Sequence, residues 1–223
     1  MNIYVINLEK RKDRWEKIKN KFEGFNLIRI DGIETLSNGS IGCFKSHQKC
    51  IEIAKTNILP NVLVFEDDCE ILNLDLIDFI SLVHKLNEFL SNLKNWNIFF
   101  GAGNKIKSED IVSKISHEQF TYTDSKEKLF QIYETKFLKT AHFVWYNHSV
   151  YDWILNLDPV TSYPIDKVWH GKFNCLVIIP FISTQSSDYS NIENKDCSYT
   201  DSIKRYERRL ISNLKKINLP NYV

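Results

Sequence analysis

Asn61-Val62-Leu63-Val64-Phe65-Glu66-Asp67-Asp68 is an apolar run that ends abruptly in three carboxylates. Its first five residues have the β-branched and aromatic content of a buried strand. Adjacent carboxylates repel and hold large hydration shells, so a fold gains no stability by lining them up. Something cationic should offset them. At the carboxyl end of a strand in an α/β sheet, that is usually a divalent ion together with a phosphorylated ligand. The alternative is a solvated acidic turn after an edge strand.

The flanking sequence supports the first reading. Residues 2–7 read as a buried strand, and residues 9–22 as a helix with Trp15, Ile18 and Phe22 on one face. Residues 26–30 form a second strand, stopped by Asp31-Gly32. Ser40 is the expected N-cap of a helix over 41–56, whose stripe is Phe44, Cys50, Ile51 and Ala54. After the strand at 61–65, Asp75 opens a helix with the stripe Leu76, Ile80, Val83 and Leu90. A strand over 96–100 ends at Gly101-Ala102-Gly103. This alternation predicts an α/β fold, a mostly parallel, Rossmann-like sheet with helices on both faces. Binding sites in such sheets lie at the carboxyl ends of strands. Arg11, Arg14, Asp31, Asp67 and Asp68 all fall at or near those ends.

Beyond residue 104 the alternation stops. Residues 104–127 read as a polar loop, Leu129 to Tyr133 and Ala141 to Tyr146 as strands, and Asn147 to Leu157 as a short helix. Tyr163-Pro164-Ile165-Asp166 opens a further segment. Leu176 to Ile179 is a strand, 183–200 a polar loop, and 201–216 a charged terminal helix. Trp145, Tyr146, Trp153 and Trp169 read mainly as core, with one of them available as an apolar platform.

The 223 residues suit one domain with a substantial core. A net charge of +1 argues against a nucleic-acid coat or a membrane-surface binder. The longest apolar runs, such as Leu176 to Ile182 with its Pro180, are far too short to span a membrane. The N-terminus begins a strand at once and has no signal-peptide pattern, so a soluble, cytoplasmic protein is expected. The five cysteines are odd in number and form no C-x-x-C, which argues against a zinc site or a disulfide scaffold. Cys43 and Cys50, two helical turns apart, read as small core residues in a reducing compartment.

The ordered set Val5-Ile6-Asn7-Leu8 with Arg11 and Arg14, Asp31-Gly32, Ile41-Gly42-Cys43-Phe44-Lys45-Ser46-His47, Phe65-Glu66-Asp67-Asp68, Thr140-Ala141-His142, Pro164-Ile165-Asp166 and Pro180 to Gln185 resembles glycosyltransferase family 25. That family includes bacterial lipopolysaccharide glycosyltransferases and collagen hydroxylysine galactosyltransferases. The resemblance extends over about residues 2–192. It implies a GT-A-type fold as one domain over 1–223. Residues 1–104 would bind the nucleotide sugar, 105–200 form the acceptor side, and 201–223 carry a terminal helix.

The resemblance also implies an activity: transfer of a hexose or N-acetylhexosamine from a UDP-sugar, with inversion, to a hydroxyl of a glycan or hydroxylated protein. Mn²⁺ or Mg²⁺ is the implied cofactor. Glu-Asp-Asp takes the part of an Asp-x-Asp motif, with Asp68 as the direct ligand and Glu66 or Asp67 as second ligand or water holder. Asn7, Leu8, Arg14, Asp31, Gly32, Ser46, His47, Asp67 and Gln185 are implied on the donor side. His142 or Asp188 would be a third metal ligand. Each role has a plainer competitor. Arg11 and Arg14 could be a solvated helix face, Asp31 a simple turn with Gly32, and His47 a satisfied structural histidine. Asp166, implied as the base that takes the acceptor proton, could be a helix N-cap. Two other functions compete: a binding domain without catalysis, and a metal-dependent sugar-nucleotide hydrolase.

Overall fold

A computed structural model describes residues 1–36, 38–116, 119–162, 164–190, 195–217 and 219–220. The strands are β1 (Asn2–Asn7), β2 (Asn26–Asp31), β3 (Asn61–Glu66), β4 (Cys69–Ile71), β5 (Ile98–Phe100), β6 (Ile111–Lys114), β7 (Tyr122–Thr123), β8 (Leu129–Thr135), β9 (Phe143–Asn147), β10 (Cys175–Ile179), β11 (Ser183–Gln185), β12 (Asp188–Ser190) and β13 (Lys195–Cys197). The helices are α1 (Lys12–Lys21), α2 (Gly39–Thr56), α3 (Leu76–Asn92), α4 (Tyr151–Leu155), α5 (Pro159–Ser162) and α6 (Tyr199–Leu214). Among the described residues, no helix is long and apolar enough to cross a membrane.

One sheet runs in the order β2-β1-β3-β9-β5-β10-β8-β6, with β7 added on β8. The pairings make β1, β2, β3, β5, β6, β7 and β10 point one way and β8 and β9 the other. The sheet is thus the expected mostly parallel α/β sheet, and strands from both halves of the chain build it. Alternate residues of each central strand serve opposite faces. Tyr4, Val62, Val64, Ile98, Phe100, Val144 and Val177 pack with α2, α4 and α6 on one face. Ile3, Val5, Leu63, Phe65, Phe99, Trp145 and Leu176 pack with α1 and α3 on the other.

Several local expectations are corrected. The N-cap of α2 is Asn38, whose side-chain oxygen accepts from Ser40 N, so Ser40 is already helical. Asp75 does cap α3, but the buried stripe is Phe79, Leu82, Val83, Leu86 and Leu90. Apolar residues surround that helix on several sides, so spacing alone left its rotation open. The loop expected at 104–127 contains β6 and β7, which add to the sheet through β8. The loop expected at 183–200 contains β11, β12 and β13. These strands are short and polar; β11 pairs with the remote β4, and β12 and β13 pair with each other. β9 enters antiparallel between β3 and β5, which local sequence does not encode. Trp145, Tyr146 and Trp169 are core, whereas Trp153 packs edge-on against Phe173 at 4.8 Å. Tyr163, Asn191 and Ile192 lie outside the described residues.

The register brings the site together. Asn7 pairs with Asp31 and Ile6 with Glu66, so β1, β2 and β3 end side by side. The loop after β2 then crosses the first turns of α2 closely enough to require a glycine. A Cβ on Gly42 would lie 2.2 Å from the Ile33 carbonyl oxygen, a backbone atom. Gly42→Ala is therefore expected to cost about 1–3 kcal/mol. For a chain of this size that lowers Tm by roughly 3–10 °C, and a thermal melt reads it directly. An unchanged Tm would mean that the loop is not held against α2.

Candidate active site

The three carboxylates after β3 have different partners. Asp67 accepts from Asn7 Nδ2 at 2.7 Å and from Arg14 Nη1 at 2.9 Å. Asn7 also donates to the Arg11 carbonyl, and its own oxygen accepts from Arg29 Nε at 2.9 Å, which fixes the amide. Burial still raises the Asp67 carboxyl, against the pull of Arg14. Glu66 is held from the opposite face by α2. Its Oε1 accepts from the Cys43 thiol at 3.2 Å and lies 3.3 Å from His47 Nε2. Burial opposes Glu66 ionisation, but the His47 hydrogen bond and charge and the Cys43 thiol bring its pKa below the ordinary value.

Asp68 is the least satisfied of the three. Its Oδ2 accepts from Gln185 Nε2 at 3.3 Å and lies 3.8 Å from Arg14 Nη1. Its Oδ1 is buried and has no hydrogen-bond partner among the described residues. Burial, then the charges of Glu66 and Asp67, push its pKa up to about 8. Gln185 reaches it because β11 pairs with β4, Gln185 opposite Cys69, and Ser186 N donates to the Asp68 carbonyl at 2.8 Å.

A cleft of about 750 Å³ opens on the α2 side of these acids. Its walls include Ile6, Leu8, Gly32, Ile33, Thr35, Gly39, Cys43 and Ser46, with Arg14, Glu66, Asp67 and Asp68 along one side. The side chains of Ile6, Leu8 and Ile33 make an apolar strip that suits a planar base. The first turn of α2 contributes few free donors. Ser40 N and Ile41 N bond to Asn38, and Gly42 N bonds to Thr35 Oγ1 at 3.2 Å. The cationic contribution to the wall therefore comes from Arg14. A second hollow, of about 1030 Å³, lies across the same Arg14, Asp67 and Asp68 wall, between α1 and the start of α6.

The other expected residues fall at varied distances from the cleft. Leu8, Gly32 and Ser46 line it. Ser46 Oγ accepts from Ile33 N at 2.8 Å and donates to the Gly42 carbonyl at 2.7 Å, so it ties the β2 loop to α2. His47 is fully buried beneath the wall, with Nδ1 3.0 Å from the Tyr146 hydroxyl. The Asp31 carboxylate is exposed and pairs with Arg29 at 3.0 Å, and its carbonyl accepts from Lys49. Arg11 is turned to Asp13.

His142 sits at the start of β9, where its carbonyl accepts from Glu66 N. Its ring nitrogens meet Thr140 Oγ1 and, at 3.0 Å, Ser183 Oγ, and burial lowers its pKa to about 4. With both nitrogens engaged, it offers no lone pair to the acids as placed. Asp188 belongs to β12.

Asp166 lies in a single turn of 3₁₀ helix, Ile165–Lys167, with Pro164 at the N-cap and no side-chain cap bond. Its Oδ1 is buried without a partner among the described residues. Burial raises its pKa, Lys139 and His170 lower it, and Glu66 raises it again. Asp166 is not among the residues lining either hollow.

Cys43 is the main residue that sequence reasoning misplaced. It was expected in the core with Cys50. Cys50 is fully buried there, but Cys43 is on the cleft wall with its thiol on Glu66. The available signal was its position four residues before His47, on the same side of the helix.

Three donor atoms, from Cys43, His47 and Glu66, lie within 4.8 Å of one another. Asp68, with an orphaned buried oxygen among carboxylates, has the donor chemistry of a hard-cation ligand.

The sequence matches the family described as glycosyltransferase family 25 (LPS biosynthesis protein) over residues 30–169. No curated protein matches the chain by sequence. Among solved structures, a glycosyltransferase involved in glycosylation of the major capsid of PBCV-1 is 9% identical, with 92% of this chain and 98% of that one covered and a TM-score of 0.41. A protein from STIV is 7% identical over 83% of this chain and 84% of its own, with a TM-score of 0.44. An apo UDP-glucose pyrophosphorylase is 9% identical over 97% of this chain and 81% of its own, with a TM-score of 0.39. At these values the structural likenesses carry no argument, and the family match stands on its own. It takes in all of α2, the three carboxylates after β3 and Asp166, more than half of the sequence, and the chain belongs to glycosyltransferase family 25.

Proposed function

We propose that this glycosyltransferase uses a UDP-sugar and a divalent cation to transfer a hexose or N-acetylhexosamine, with inversion, to a hydroxyl of a glycan or hydroxylated protein. The observation that carries this reading is the Oδ1 of Asp68, buried without a hydrogen-bond partner among the described residues, at the carboxyl edge of the sheet and beside a cleft with an apolar strip. In this reading Leu8, Gly32 and Ile33 receive the base and ribose, and Arg14 faces the phosphates. Asp68, with the Glu66 oxygen not engaged by α2, would hold Mn²⁺ or Mg²⁺. Asp67 contributes by fixing Arg14. A bound ion supplies Lewis-acid stabilisation of the charge that grows on the departing nucleoside diphosphate. Asp166 removes the proton from the acceptor hydroxyl.

The test is UDP release from a panel of UDP-sugars with Mn²⁺, measured with and without candidate acceptor glycans. A transferase is accelerated by its acceptor, a hydrolase runs equally fast without one, and a binding domain releases no UDP. A thermal-shift screen with the same panel narrows the donor first. A ligand at 100 times its Kd stabilises by about 2.7 kcal/mol, a rise of roughly 5–10 °C in Tm for a chain of this size. No Tm shift and no UDP release across the panel with Mn²⁺ or Mg²⁺ would sink the UDP-sugar reading.

A further inference from the structure

We infer that Cys43, His47 and Glu66 form a second cation site, selective for a thiophilic divalent ion such as Zn²⁺ and distinct from the hard-cation position at Asp68, with which it shares the Glu66 carboxylate through its other oxygen. Cys43 and His47 are four residues apart on α2 and so share a face of the helix. The end of β3 brings Glu66 against that face. The thiol sulfur lies 3.2 Å and His47 Nε2 3.3 Å from the same Glu66 oxygen. All three donor atoms lie within 4.8 Å of one another.

Tetrahedral zinc, with bonds of about 2.0–2.3 Å, separates its donors by about 3.3–3.7 Å. The three side chains therefore need only small adjustments to close around an ion. One sulfur, one imidazole nitrogen and one carboxylate oxygen make a zinc-type donor set; Mg²⁺ and Mn²⁺ prefer all-oxygen surroundings.

The surroundings fit as well. His47 is fully buried, and its Nδ1 lies 3.0 Å from the Tyr146 hydroxyl. Metal-bound imidazoles characteristically have such an outer partner, which fixes the ring and its tautomer. The Tyr146 hydroxyl oxygen, at that distance, can accept from Nδ1–H. Nε2 then presents its lone pair to the ion. Glu66, Asp67 and Asp68 line the same cleft as Cys43, so the position lies beside carboxylates that a cation would offset. Cys43 and Glu66 both line the cleft, which leaves a fourth position open to water or a ligand. Binding releases to solvent the Cys43 thiol proton and the Nε2 proton that His47 presents to Glu66 in the ion-free site, since the thiolate and the neutral imidazole are the ligands.

The inference does not depend on the donor, the acceptor or the Asp68 ion. The test titrates the metal-stripped wild-type chain with Co²⁺, a spectroscopic stand-in for Zn²⁺. One equivalent should produce tetrahedral ligand-field bands and a thiolate-to-cobalt charge-transfer band. Cys43→Ser should lose the charge-transfer band, and His47→Gln should weaken binding by at least about 10-fold. Asp68→Asn should keep the band, which separates this site from the hard-cation position. Zinc K-edge absorption of the wild type, which needs no variant to fold, should show one sulfur at about 2.3 Å. An all-oxygen and nitrogen shell, no band in the wild type, or a band that survives Cys43→Ser overturns the inference.

Discussion

Asp68→Asn is expected to abolish ion-dependent sugar transfer while leaving the protein folded. The loss in kcat should be about 10³-fold or more, because Lewis-acid stabilisation of a leaving diphosphate amounts to several kcal/mol and each 1.36 kcal/mol is about tenfold in rate. The fold should survive for reasons visible around the side chain. Asn is nearly isosteric with Asp, and its amide can still meet Gln185, the partner of Oδ2. The substitution also puts a neutral group where burial and the neighbouring acids already oppose ionisation of Asp68.

The same two samples give a second readout. Mn²⁺ should raise the Tm of the wild type, because an ion that binds only the folded state stabilises it by mass action. It should raise that of Asp68→Asn far less. Cys43→Ser provides the contrast, since it should respond to Mn²⁺ as the wild type does. Full Mn²⁺-dependent turnover by Asp68→Asn would place the ion elsewhere.

The parts of this molecule that were legible in its sequence share a physical cause. β1 and β3 are continuous apolar runs because helices cover both faces of a central strand. They could be read to within a residue, and with them the carboxyl edge where Asn7, Glu66 and Asp68 stand. What escaped was set by partners distant in the chain. β9 lies antiparallel between β3 and β5, and nothing in Phe143–Asn147 names those neighbours. β6 is short and mixes apolar with polar residues, β11 is short and wholly polar, and both exist because β8 and β4 pair with them.

The same distinction applies to the site. Three acids after a strand signal a charge problem, but the division of labour among them does not show in the run itself. Asp67 is neutralised from α1 and β1, Glu66 is held from α2, and Asp68 is left open. Cys43 looked like core because helical spacing with Cys50 is also what core residues show. A count of cysteines without C-x-x-C argued against zinc. That argument covers sites built from paired cysteines and is silent about one thiol, one imidazole four residues on, and a carboxylate from a neighbouring strand.

Asp166→Asn is expected to lower kcat by about 10²–10⁴-fold, the range for loss of a general base, with the Kd for donor unchanged. The competing role was that of a helix cap, and Asn caps as well as Asp; a cap would therefore predict wild-type kcat and Tm. The structure removes the basis of that alternative, since Pro164 and not Asp166 occupies the N-cap, and Asp166 Oδ1 has no hydrogen-bond partner among the described residues. The donor should bind as before because the cleft walls come from β1, the loop after β2, α2 and the end of β3, and Asp166 is not among them.

Two pH measurements sharpen the test. Burial raises the Asp166 pKa, so in the wild type the base is protonated, and the reaction slow, at pH values where an ordinary carboxylate would already be ionised. The acid limb of the kcat profile should lie above about pH 4, the usual carboxylate midpoint, and should vanish in the variant. The stability sign follows from the same shift. A group whose pKa is raised on folding stabilises the fold below its unfolded pKa, and that contribution is lost as pH rises through the folded value. Asn cannot ionise, so at neutral pH the variant should melt at or above the wild-type temperature. A wild-type kcat with an unchanged acid limb would remove Asp166 from the reaction, and a lower Tm would return it to a purely structural role.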